Sequence, residues 1–209
     1  MAGFDPREEY ILENKEVLLR PLHEEDYAHL LRFALEQPEI WKYSLVPAAG
    51  KDPMRTYINT AVNNRAAGNE YAFIVFDKRT QQYAGSTRFY DIQPQHRSLQ
   101  LGYTWYGKEF QGTKLNKNCK LLLLEFAFEK LNMRRVEFRA DNDNERSKAA
   151  MISIGCTPEG VLRNHLLTES GANRNSIILS ILKEEWENGV KEKLIEKINR
   201  SASNSSSFL

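Results

Sequence analysis

The chain has 209 residues, 41% of them apolar and 11% aromatic, with 29 basic and 28 acidic side chains and a net charge of +1. That apolar content suffices for one medium-sized core. The charge balance speaks against a dedicated nucleic-acid binder, which concentrates a basic excess. No apolar run has the form of a secretory signal or the length of a membrane span, so a cytoplasmic location without membrane partners is expected. Cys119 and Cys156 have no zinc-type spacing, and the four histidines form no HExxH pattern, so no metal site is expected.

Residues 1–14 read as a loose leader. Val17 to Leu22 reads as a first strand closed by Pro21, and Glu24 to Leu35 carries Tyr27, Leu30, Leu31 and Ala34 at amphipathic-helix spacing. After an aromatic connection at Trp41–Pro47, Asp52 and Pro53 are expected to cap and open a second helix that Gly68 stops. Tyr71–Phe76, Gln82–Ile92 and Ser98–Tyr106 are strands separated by short polar turns, the pattern of antiparallel pairing. From Leu115 to Leu131 apolar residues occupy two helical stripes, which predicts deep packing against a sheet. Arg135–Ala140 is the next strand, so the strand–helix–strand unit implies a parallel crossover. A short helix over Asn144–Ile154, two strands at Glu159–His165 and Asn175–Leu182, and a charged helix over Lys183–Asn199 complete the pattern. Arg200–Leu209 is low-complexity and expected to be disordered.

The expected fold is α+β: one domain over residues 15–182 and an added helix over 183–199. Its mixed, mostly antiparallel twisted sheet has about six to seven strands, helices on both faces and one parallel β-α-β crossover. Oligomeric state is left open between monomer and homodimer.

The strand ending at Tyr106 feeds the apolar helix through the polar loop Gln111-Gly112-Thr113-Lys114-Leu115-Asn116. Unpaired N–H groups at a helix start, with the positive end of its dipole, form a seat for phosphate or pyrophosphate. This points to a nucleotide-containing cofactor and an enzyme.

These segments in this order resemble the GCN5-related N-acetyltransferases, in particular the branch that acetylates ribosomal-protein N-termini, over roughly residues 16–182. The resemblance rests on Leu101–Tyr106, Gln111–Asn116, Asn142–Lys148 through Ile154-Gly155, and Glu159–Arg163. It implies acetyl-CoA as co-substrate and direct transfer of the acetyl group to a primary amine, either a small molecule or a protein N-terminus. It also implies that the backbone at Trp105 and Tyr106 pairs with the pantetheine arm, that Gln111, Gly112, Thr113, Lys114, Leu115 and Asn116 hold the pyrophosphate, and that Asn144 bonds the arm.

The family pattern Gln/Arg-x-x-Gly-x-Gly/Ala puts glycines where this chain has Lys114 and Asn116. Two readings follow. The loop keeps its shape, with Lys114 pointing away or reaching a phosphate; or the loop is altered, and the chain is an impaired acyl-CoA-binding or protein-interaction module. The family's thiolate-protonating tyrosine falls on Met151, which cannot donate a proton, while the ribosomal-protein branch's serine falls on Ser147. For the amine's proton Asp91, Glu159 and His165 are candidates. The acceptor pocket is expected to be built from Trp41–Pro47, the first two helices, Tyr90-Asp91 and the turn Leu166–Arg174, with Trp41, Tyr43, Tyr90 and Asp91 lining it.

Overall fold

The computed structural model describes residues 4–168 and 170–203. The chain forms eight strands: β1 (Leu12–Glu13), β2 (Val17–Pro21), β3 (Glu70–Asp77), β4 (Gln82–Gln93), β5 (Ser98–Tyr106), β6 (Arg135–Asp141), β7 (Thr157–Leu167) and β8 (Asn173–Leu182). They make one sheet in the order β1-β2-β3-β4-β5-β6-β8-β7, antiparallel except for β5 and β6. The helices are α1 (Tyr27–Glu36), α2 (Lys51–Ala66), α3 (Leu115–Glu125), α4 (Glu145–Ser153), the single turn α5 (Lys183–Glu185) and α6 (Lys191–Ser203).

Two faces of the sheet are filled by alternating side chains. On one, Trp105 meets Phe33 of α1 and Tyr57 of α2. On the other, Phe89 stacks on Phe126 at the end of α3, and Phe128 stacks on Trp186 just before α6. The large apolar side chains at both faces are almost fully buried, and this burial is the main stabilising term.

Three expectations are corrected. The loose leader is ordered where it is described: β1 pairs with β2, and Phe4 and Tyr10 pack around Tyr71. That strand brings the sheet to eight, above the six to seven expected. Of the expected disordered tail, Arg200–Ser203 continues α6, and residues 204–209 lie outside the described residues. A smaller shift is at α2, where Gly50 (φ 104°) is the N-cap and Asp52 sits in the first turn.

The feature that positions the site is the junction of β5 and β6. Their parallel pairing is limited to Ser98–Arg135, Leu99–Val136 and Gln100–Glu137. On its other side β5 is bound to β4 across two register shifts, and Tyr103 adopts a left-handed φ of 49°. Beyond Gln100 the two strands diverge, and the sheet opens as a wedge.

Candidate functional site: an open sheet ending at a helix start

The wedge holds a cleft of about 1000 Å3, lined on one wall by Gly102–Tyr106 of β5 and on the other by Phe138–Asp141 of β6. Among the described residues, the edge of β5 that faces β6 has no strand partner past Gln100. Main-chain N–H and C=O groups there are open to an extended ligand, which can bind as an added strand.

At one end of the cleft lies the start of α3. Gln111 donates from Nε2 to the Tyr106 carbonyl (2.8 Å) and accepts from Arg146 of α4. Thr113 Oγ1 donates to the Phe110 carbonyl (2.7 Å) and accepts from the Leu115 N–H (3.2 Å). The first carbonyl used within the helix is that of Lys114, by Asn118. The loop needs one left-handed residue, and Gly112 supplies it at φ 73°. Lys114 sits at φ −72°, ψ −11°, an ordinary right-handed conformation that requires no glycine. Asn116 is likewise inside the helix. Gln111, Gly112 and Asn116 line the cleft; the side chains of Thr113, Lys114 and Leu115 do not, and Leu115 is buried in the core.

Asn144 caps α4, its Oδ1 accepting from the Ser147 N–H at 3.0 Å. Ser147 lies in the first turn of α4 and lines the cleft, and among the described residues its hydroxyl has no protein partner. Met151, one turn further on, also faces the cleft. The Trp105 side chain belongs to the core: its Nε1 donates to Tyr57 Oη (3.1 Å) and Trp41 packs edge-on against it.

On the α2 side of the sheet, Trp41, Tyr43, Tyr90 and Tyr103 line the other end of the cleft. The Tyr90 and Tyr103 rings meet edge to face at 5.0 Å, and burial raises both phenols above their usual range. Asp91 lies elsewhere. It is exposed, outside the cleft, and held by the side-chain amides of Gln93 and Gln100 (each 2.7 Å). Glu159 is also outside the cleft, braced by Arg135 (2.7 Å) and Ser180 (2.6 Å). Those bonds hold its carboxyl down at about 2, far too acidic to act as a base near neutrality. Of the three candidate bases only His165 lines the cleft.

The family profile described as "Acetyltransferase (GNAT) domain" matches residues 16–157. The chain belongs to the GNAT acetyltransferase family. The "Putative ribosomal N-acetyltransferase YdaF" of Bacillus subtilis (strain 168) is 33% identical over 103 residues, a match that covers 49% of this chain and 55% of that protein. A crystal structure of a "putative acetyltransferase" from T. thermophilus superimposes with a TM-score of 0.82 at 32% identity, covering 94% of this chain and 99% of the other. A GCN5-related N-acetyltransferase from Brucella melitensis shares the fold (TM-score 0.84, 23% identity, 92% and 87% covered).

In this GNAT domain three polar residues lie at the cleft that pattern reading did not single out. Arg146 leans from α4 to the α3 loop. Lys120 of α3, 5% exposed, reaches Thr104 Oγ1 (2.7 Å) and Thr87 Oγ1 (3.3 Å). Arg174 of β8, 8% exposed, stands opposite Tyr43. Lys120 had a signal in the sequence, as the one cation in the otherwise apolar run Cys119–Leu124. Arg174 ends the turn expected at the acceptor pocket, but no local pattern marked its guanidinium, since only the sheet order brings β8 to the cleft. Among the described residues no group of three His, Cys, Asp or Glu is placed to hold a metal, and no helix is long and apolar enough to cross a membrane.

Proposed function

We propose that this GNAT domain transfers the acetyl group of acetyl-CoA to a primary amine, on a small molecule or a protein N-terminus. The observation that carries the reading is the opening between β5 and β6 that runs into an open helix start. An unpaired strand edge suits a pantetheine arm, and helix-start amides suit a pyrophosphate. Arg146, at the mouth of that loop, adds a cation where phosphate charge would lie. The conformation of Lys114 favours the intact-loop reading over the impaired module.

Bound acetyl-CoA supplies an activated acyl carbonyl. The chain's own part is to hold that carbonyl and the amine in line, which lowers the entropic barrier. A main-chain N–H of β5 beside it stabilises the negative charge that develops on oxygen. The Ser147 hydroxyl, free of protein partners, donates to the departing sulfur, a task Met151 cannot perform. His165 is the cleft-facing group able to accept the amine's proton.

Two measurements test the reading. Calorimetry with acetyl-CoA should show binding, and free-thiol release should depend on an added amine. Ser147→Ala should lower turnover about a hundredfold, the usual contribution of a general acid, with acetyl-CoA affinity retained. Release that does not depend on amine, or no heat on titration, would remove the assignment.

A further inference from the structure

The α2-side end of the cleft holds more hydrogen-bond donors than the protein answers. Arg174 is 8% exposed, yet among the described residues its Nε has no hydrogen-bond partner. Its nearest carboxylate oxygen, Asp141 Oδ2, is 3.8 Å away, and its Nη1 reaches the Tyr43 carbonyl only at 3.4 Å. Ser176, two residues along β8 and therefore on the same face, is 1% exposed and its hydroxyl is also unpartnered. His165 of β7, inside the register shift between Leu162 and Leu166, also lines the cleft, and among the described residues its buried Nδ1 has no partner. All of these residues line the cleft.

Buried polar groups in folded proteins are nearly always paired, and leaving one unpaired costs stability. Several at one end of one cavity mark a place where a ligand completes the bonding. Its chemistry follows from the donors. A guanidinium is a planar fork with no acceptor atoms, and it matches a carboxylate in geometry and charge. A hydroxyl and an imidazole lining the same cleft can answer the remaining oxygen lone pairs. Asp141 does not saturate the guanidinium: burial outweighs its attraction and draws Arg174 below the usual guanidinium range. An incoming anion would relieve that penalty.

We infer that the acceptor amine carries a carboxylate, bound by the Arg174 guanidinium with help from Ser176 and His165. This rests on the proposed acetyl transfer and deepens it by naming the acceptor's second functional group. Both an amino acid and a peptide with an acidic residue beside its N-terminus present that group.

The experiment uses the full chain and matched acceptor pairs that differ only in the carboxylate. Phenylalanine against phenethylamine represents the free amino acid, and Asp-Ala-amide against Asn-Ala-amide the peptide. Thiol release should favour the carboxylate member of one pair by about tenfold or more in kcat/KM, the ratio that one charge-assisted hydrogen bond sustains. In Arg174→Gln that preference should fall close to one. The pair that shows the preference identifies the source of the carboxylate. A second readout needs neither turnover nor a stable variant: with CoA present, calorimetry on the wild-type chain compares the N-acetylated members of each pair. Turnover without preference in either pair overturns the carboxylate subsite and leaves acetyl transfer standing. Carboxylate-dependent binding without turnover supports the subsite and overturns the transfer reading. Neither turnover nor preferential binding overturns both.

Discussion

At the scale of single residues, side chains of one chemical type take different roles according to what surrounds them. Glu159 is tied to Arg135 and Ser180, which depress its carboxyl from the ordinary 4.5 to about 2. A depressed carboxyl stabilises the fold above its unfolded value, and the contribution is lost as the pH falls through the folded one. Glu159→Gln should therefore lower Tm at neutral pH, and the gap to wild type should close between about 4.5 and 2. Thiol-release rates should be unchanged, because Glu159 lies outside the cleft. The helix start at Asn144 was readable from local sequence because helix starts have short-range rules, whereas the roles of Asn144 and Ser147 toward a cofactor rest on the family resemblance. Asp91 was misplaced for a local reason as well. Its position at the end of a long strand suggested the pocket, but the register shift between Tyr90 and Gln93 and a φ of 46° turn it out toward Gln93 and Gln100.

At the scale of elements, α3 and the loop that opens it depart from the family glycine pattern at Lys114. Lys114 stands at a family glycine position but in a right-handed conformation. Lys114→Gly should therefore not raise acetyl-CoA affinity in calorimetry. Gly112 is the position that does use its freedom, at φ 73° with nothing within 4 Å of an added Cβ. Gly112→Ala should cost about 1 kcal/mol of backbone strain without any clash, read as a drop in Tm. Lys120 lies on the same helix, and burial lowers its ammonium from 10.5 to about 8. Between those values the unfolded chain binds the extra proton, so wild-type stability rises with pH across that interval. Lys120→Met should be more stable than wild type below pH 8, and its advantage should shrink toward pH 10.5 in thermal melts. The helix, its stripes and the crossover were legible because apolar periodicity reports them directly. The ammonium's threonine partners on β4 and β5 were not, because side-chain pairing between distant strands leaves no local pattern.

At the scale of the whole molecule, the last helix is part of the domain. Trp186 is 1% exposed, stacks on Phe128 and donates to Glu129 Oε1 at 3.0 Å. Lys191 pairs with Glu125 (3.1 Å) and Glu129 (2.7 Å), and a Cβ at Gly155 would lie 2.6 Å from Val190 Cγ1. Trp186→Ala should cost about 3–5 kcal/mol, measured by denaturant unfolding. The β3–β5 meander and the crossover to β6 followed from turn lengths and apolar period, whereas the seat of β8 between β6 and β7 had no local signal. β1 had none either, because two residues give no alternation to read, and its existence depends on Leu18 and Leu19 as partners.

The short contact between β5 and β6 also shapes how the molecule breathes. No described residue fills the missing rungs of that ladder, so a tethered thioester arm would act as a temporary ninth strand. Amide exchange at Tyr103–Tyr106 would then slow when that arm is seated and quicken when the spent thiol departs, marking each cycle as the zipping and unzipping of one seam.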